Sequence, residues 1–329
     1  MSTLKVFEAF SGIGAQRMAL RNLGIDFEVV GISEIDKYAL KSYEAIHGDC
    51  PNYGDISDIN PKDLPKIDLF TYSFPCQDIS IAGKQEGIIK GKTRSGLLYE
   101  CEKIIEYCKP KYLLMENVKN LVGKKNKSNF EEWLKYLEGL GYTNYWKVLN
   151  ARDYGVPQNR ERVFCISILG EHKPYEFPKA IEPSITLKDI LESDIDDKYY
   201  LSEMVQKRFK QTNIDDGIRN IIGTTAPKTR TIGQRDVVYG HNAKVMGALV
   251  ATDYKQPKQI IKYLNDDFTE YKIRKITPKE GFRLMGLSEE DIEKIQFSGI
   301  SNAQQYKQAG NSIVVPVLEG IFRELFCNE

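Results

Sequence analysis

Short apolar runs of β-favouring residues recur along the first half of the chain, and each is followed by a longer stretch with helical spacing. "LKVFEAF" (4–10) stops at the turn "SGIG", after which "AQRMALRNL" reads as a helix ended by Gly24. "FEVVGISE" (27–34) is a second strand, and "DKYALKSYEAIHG" a helix with Asp36 as N-cap and Gly48 as its stop. "IDLFTYSFP" (67–75), "KYLLMENV" (111–118) and "RVFCISIL" (162–169) continue the strands, with helix-like "LLYECEKIIEYC" and "NFEEWLKYLEGLG" between them. The alternation predicts an α/β fold, a doubly wound, mostly parallel, Rossmann-like sheet whose ligands sit beyond the C-terminal ends of the strands. After about residue 180 the rhythm breaks. Residues 189–273 hold polar clusters and Gly/Thr/Lys/Arg-rich pieces such as "GTTAPKTRTIGQRDVVYGHNAK", which predicts a smaller, irregular, β-rich second domain without repeats. The final "GNSIVVPVLEGIFREL" is apolar enough, as strand or helix, to return to the core and complete the main sheet.

Composition changes this picture little. The 329 residues include 46 basic and 46 acidic side chains, so no global field steers the chain, and attraction to a polyanion must come from local patches. No apolar stretch approaches the roughly 20 residues of a membrane span, and "MSTLKVFEAFSG" lacks the apolar core of a signal peptide, so a cytoplasmic place is expected. Six cysteines (50, 76, 101, 108, 165, 327) show no C-x-x-C pairing, which points to reduced thiols and indicates no metal. Cys101, Cys108 and Cys165 read as small core residues.

Chemistry gathers at the strand ends. Gly12 and Gly14 sit where a missing Cβ lets a ligand approach backbone amides. Arg17 occupies the place of a third glycine in the dinucleotide fingerprint, which disfavours a nicotinamide-dependent oxidoreductase. Glu34 lies 20 residues after Gly14, where an acid can accept ribose hydroxyls, and Asp55 is placed to meet an adenine amino group. Together they suggest an adenosine ligand without phosphates, S-adenosyl-L-methionine being the obvious candidate. Cys76 follows Pro75, which stiffens the turn carrying the thiol. Behind it runs a glycine-rich loop (77–96) with Lys84, Lys90, Lys92 and Arg94, a basic lid suited to an anionic substrate. Glu116 follows apolar "YLLM", where a carboxylic acid can hold a proton, and Arg160 and Arg162, two apart on a strand, are expected on one face as a cation clamp.

The ordered set "FEAFSGIGAQR", "FPCQDIS", "ENVKN", "QNRERVF", "RKITPKEGFRLMG" and "QAGNSIVVPV" resembles that of DNA (cytosine-5) methyltransferases of the bacterial modification type, and covers nearly the whole chain outside 189–273. The resemblance implies the S-adenosylmethionine-dependent methyltransferase fold, with Cys76 as nucleophile, Glu116 as the acid on the cytosine ring, and Arg160 and Arg162 as clamps. It further implies a cofactor site lined by Phe10, Gly12, Gly14, Glu34, Ile35, Asp55, Ile56, Pro75, Leu97, Asn311, Ser312 and Ile313. Ile35 stands where many relatives carry an aromatic residue. The implied organisation is a catalytic domain over 1–188, target recognition over 189–273, a hinge over 274–305 and a return over 306–329. Duplex DNA is the implied partner, contacted by Gln77, Ser80, Lys84 and Arg94 from the loop and by Lys228, Arg230, Gln234 and Arg235 from the recognition segment. His241 and Asn242 in the same stretch could also reach base edges. A monomer is expected, with a cognate restriction endonuclease as a possible separate partner. A tRNA cytosine-5 methyltransferase would share fold and motifs, but the sizeable recognition segment favours duplex DNA.

Overall fold

The computed structural model describes residues 3–75, 79, 94–182, 184–214, 220–226, 236–240, 242–265 and 269–327. These form two compact units, one of Met1–Asn150, Glu161–Lys179 and Val317–Glu329, the other of Ala151–Arg160 and Ala180–Pro316.

The first unit follows the apolar rhythm. β1 (Leu4–Ala9), α1 (Ala15–Asn22), β2 (Phe27–Ser33), α2 (Lys37–His47), β3 (Leu69–Tyr72), α3 (Leu98–Cys108), β4 (Tyr112–Val118), α4 (Lys127–Gly139), β5 (Tyr142–Asn150) and β6 (Glu161–Leu169) succeed one another. The sheet order is β2-β1-β3-β4-β6-β5. The first four strands are parallel, while β6 runs antiparallel to both of its neighbours. Strand order reverses direction about β1, the kind of switch point where such sheets bind ligands.

β6, read as another parallel strand, returns antiparallel between β4 and β5. β5 carries no clear signal because it is an edge strand with only Tyr142 and Leu149 buried.

Local chemistry explains the helix limits. Asp36 caps α2 by accepting from the Tyr38 N–H at 2.8 Å, and Gly48 ends it with φ +76°. Beneath α3 and α4 lies a core of Phe70, Tyr72, Phe74, Ile104, Met115, Phe130, Trp133 and Leu137, each worth about 1.5–3 kcal/mol when fully buried. Cys101 and Cys165 belong to this core, and burial raises both thiols, Cys165 to about 12, so they pack as thiols.

The second unit holds a five-stranded sheet. It comprises β7 (Lys210–Ile214), β8 (Ile221–Thr224), β9 (Val237–Tyr239), β10 (Gln259–Tyr263) and β11 (Tyr271–Lys275), in the order β11-β10-β9-β8-β7. Only β9 and β10 pair in parallel. Helices α5 (Pro278–Arg283), α6 (Glu289–Phe297), α7 (Asn302–Asn311) and α8 (Val315–Phe326) follow. The C-terminal residues therefore add helix, not a strand, to the first unit, where Tyr175 Oη donates to the Ile321 carbonyl at 3.3 Å. Gly310 is required by close approach, since a Cβ there would stand 2.3 Å from the Val250 backbone. Among the described residues no helix is long and apolar enough to cross a membrane.

A buried ion pair organises the start of the helical part. Arg274 grips Glu280 with two bonds of 2.8 and 2.7 Å, and Glu280 also accepts the N–H groups of Thr277 and Glu192, both at 2.8 Å. Thr277 Oγ1 donates in turn to the Glu192 carboxylate. Removing one partner of such a pair strands a buried charge. Glu280→Ala is therefore expected to cost about 3–5 kcal/mol, read as a lowered urea midpoint, whereas breaking an exposed pair such as Lys198 with Asp196 should leave the midpoint nearly unchanged.

Candidate active site

The parallel strands β1 to β4 release the chain at one edge of the sheet, and several of the first unit's expected site residues follow those ends. After β1, Phe10 adopts φ +56°, uncommon for a residue with a side chain, and Gly12 and Gly14 follow at +57° and +76°. The Phe10 N–H donates to the Ser33 carbonyl at 2.8 Å, which ties this turn to the end of β2. Glu8, fully buried on β1, lies beneath it. Tyr43 Oη donates to Glu8 Oε2 at 2.6 Å, and Arg17 reaches Tyr43 Oη at 3.3 Å and the His47 carbonyl at 3.2 Å. Burial pushes the Glu8 carboxyl from 4.5 up to about 7, against the opposing pull of Tyr43 and Arg17, and Tyr43 itself is pushed well up.

Glu34 follows β2. Its Oε2 accepts the Gly12 N–H at 2.9 Å, and its Oε1 accepts the N–H groups of Ile35 and Asp36, both at 2.8 Å. Three of roughly four lone-pair positions are thus filled, and spare capacity lies on Oε2, toward the glycine turn. Ile35 is 71% exposed. Asp55 caps the turn Ile56–Asp58 by accepting the Ser57 N–H at 2.9 Å, while Ile56 is buried in the core.

Past β3, three side chains hold the backbone on either side of position 76. Asn117 Nδ2 donates to the Phe74 carbonyl at 3.0 Å, Ser95 Oγ to the Pro75 carbonyl at 2.7 Å, and Asn120 Nδ2 to the Ile79 carbonyl at 2.5 Å. Asn117 and Asn120 lie within the motif "ENVKN", but the sequence assigned no role to them or to Ser95. Cys76, Gln77, Ser80 and Lys84 lie outside the described residues, as do the Arg94 side chain, Lys228, Arg230, Gln234, Arg235 and His241. Leu97 ends the turn Arg94–Leu97, partly buried against the core.

On β4, Glu116 is 8% exposed, and its Oε1 lies 3.2 Å from Arg162 Nε on β6. The register pairs Arg162 with Val118, so Glu116 and Arg162 are diagonal neighbours on one face. Arg160 departs from expectation. It precedes β6 in the second unit, and its buried guanidinium donates to the carbonyls of Leu249 (2.6 Å), Gly310 (3.0 Å) and Ser312 (2.9 Å). The two arginines therefore share no strand face, because the chain leaves the sheet at Asn150 and re-enters only at Glu161. Asn311, Ser312 and Ile313 also belong to the second unit, with Ile313 buried.

The C-5 cytosine-specific DNA methylase family matches residues 4–327. The chain belongs to that family. It is 41% identical to a type II methyltransferase of Lactococcus lactis subsp. cremoris over 98% of this chain and 99% of the relative. An orphan methyltransferase of Bacillus phage SPbeta is 31% identical over 99% and 98%. Among solved structures, a methyltransferase of Entamoeba histolytica superposes with a TM-score of 0.78 at 19% identity, covering 100% of this chain and 99% of that one. The Dnmt2 methyltransferase of S. pombe reaches 0.72 at 20% identity, covering 98% of each. These structural likenesses establish the α/β methyltransferase fold, and the family makes the protein a DNA (cytosine-5) methyltransferase.

In this methyltransferase the glycine turn is sterically demanding at one position. A Cβ on Gly14 would meet His47 Nε2 at 2.4 Å and the Tyr43 ring at 2.7 Å, whereas one on Gly12 meets nothing within 4 Å. Gly12→Ala should cost only the left-handed strain, about 1–2 kcal/mol, and Gly14→Ala roughly 1–3 kcal/mol more, compared by urea denaturation.

The raised Glu8 carboxyl has a signed consequence for stability. Burial favours its protonated form in the fold, so the contribution is fully present below about 4.5 and is lost as pH rises through about 7. The urea midpoint should fall between pH 5 and pH 8 in wild type and fall less in Glu8→Gln. Equal losses in both would show that another group governs this window.

Proposed function

We propose that the methyltransferase moves a methyl group from S-adenosyl-L-methionine to C5 of a cytosine flipped out of a specific duplex DNA sequence, through a covalent bond between Cys76 Sγ and C6. The observation that carries this reading is the anchoring of the Phe74 and Pro75 carbonyls, the two that precede Cys76 in the chain. Asn117 and Ser95 fix the two carbonyls before the thiol at the end of β3, one strand from the Glu116–Arg162 pair on β4 and β6. Cytosine C5 is a poor nucleophile until a thiolate adds to C6 and pushes the ring's electron pair toward C5. In this reading Glu116 holds a proton at the ring nitrogen, and Arg162, 3.2 Å from its carboxylate, orients Glu116 and opposes charge on the ring carbonyl oxygen. When bound, S-adenosylmethionine supplies the electrophilic methyl. Loss of the C5 proton to a base then drives Cys76 out and restores the ring's double bond.

The Glu34 cradle fits an adenosine, since Oε2 keeps acceptor capacity for a ribose hydroxyl and Gly12 leaves open space beside it. Within the same reading, 189–273 selects the target sequence, and the likeness to a type II enzyme supports a modification role beside a separate restriction endonuclease. A monomer working in the cytoplasm completes the proposal.

Fluorine at C5 cannot leave as the proton does. Duplex carrying 5-fluorocytosine at the methylated position, identified by bisulfite sequencing of DNA from expressing cells, should trap wild-type protein as an adduct stable on a denaturing gel when S-adenosylmethionine is present. Cys76→Ser should give no adduct and no methylation, while Cys101→Ser remains active. Turnover by purified Cys76→Ser protein would sink the mechanism.

A further inference from the structure

The two acids expected to meet the nucleoside stand on separate loops, Glu34 after β2 and Asp55 in the next connection, and their spacing must be set by something between them. Backbone bonds account for part of it. The segment 51–54 lies alongside the end of β2, with the Ile32 N–H donating to the Pro51 carbonyl and the Tyr53 N–H to the Ile32 carbonyl, both at 2.9 Å. Ser33 Oγ donates to the Gly54 carbonyl at 2.8 Å.

One side chain closes the remaining gap. Asn52 Oδ1 accepts the Glu34 N–H at 3.2 Å and the Gly54 N–H at 3.0 Å, and its Nδ2 donates to the Glu34 carbonyl at 3.0 Å. A single carboxamide thus grips both backbone groups of Glu34 and the amide one residue before Asp55. Gly54 makes the tight turn possible with φ +73°.

We propose that Asn52 is a positioning residue that clasps the two acid-bearing loops at a fixed separation and so sets affinity for the adenosine part of the methyl donor. The inference rests on the cofactor reading above. Chemistry specifies the amide: the position needs an acceptor for two N–H groups and a donor for a carbonyl, and a carboxylate would turn an oxygen against the Glu34 carbonyl. Asn52 is exposed, so its loss leaves no buried group stranded and should disturb the fold little. The contacts it organises touch a part of the ligand that does not react, so they act alike on ground and transition states. Affinity should change and turnover should not.

The test compares wild type, Asn52→Ala and Asn52→Asp in three measurements: calorimetric binding of S-adenosylhomocysteine, KM and kcat for S-adenosylmethionine with target duplex, and thermal unfolding. The expected result for Asn52→Ala is about tenfold weaker binding and about tenfold higher KM, the worth of one net hydrogen bond, with kcat within twofold and Tm nearly unchanged. Asn52→Asp keeps both N–H bonds and should fall between the two. Unchanged binding and KM in Asn52→Ala, or an equal loss in kcat together with a large fall in Tm, would overturn the clasp. Failure of wild type itself to bind S-adenosylhomocysteine would overturn the cofactor reading, and the clasp with it.

Discussion

Four strands running the same way impose the constraint from which the rest follows. Parallel pairing of β2, β1, β3 and β4 delivers every chain exit to one edge of the sheet, where N–H and C=O groups lose their ladder partners and must find others. Side chains supply many of those partners. Glu34 absorbs three amide hydrogens, Asn117 and Ser95 cover the carbonyls of Phe74 and Pro75, and Asp55 caps the turn Ile56–Asp58.

A second consequence concerns charge. Glu8 is fully buried on β1 and Glu116 nearly buried on β4, yet their surroundings differ in kind. Glu8 meets a phenol that stays protonated, and burial dominates its titration. Glu116 meets a guanidinium at 3.2 Å. One acid is enclosed beside a phenol, and the other is paired with a cation on the neighbouring strand.

Much of this was legible in the sequence where signals are local. The apolar runs of β1 to β4, the Asp36 cap and the Gly48 stop depend on neighbours within a few residues, and they fall where the pattern places them. The edge strand β5 escaped because burial reaches only two of its positions, and Trp146 is 44% exposed. The β-branched run before Leu318 allowed either strand or helix, and tertiary packing of α8 decided for helix. Asn117 and Asn120 bond carbonyls 43 and 41 residues away, a separation over which composition carries no signal. Arg160 and Arg162 read as a pair from spacing, but the break in the sheet between Asn150 and Glu161 sends them to different work.

The Glu280 carboxylate draws together the two ends of a long excursion of the chain. It takes the Glu192 amide at one end and the Arg274 guanidinium at the other, so residues 193–273 leave and return at a single buried point. A segment pinned at its base behaves as a cassette. Its length and content can drift, because lengthening a loop whose ends are already closed costs only about 0.6 kcal/mol per doubling. Such a joint lets the segment between its ends be exchanged while its anchor stays intact, and it marks Glu192 and Arg274 as the residues that any exchange must leave in place.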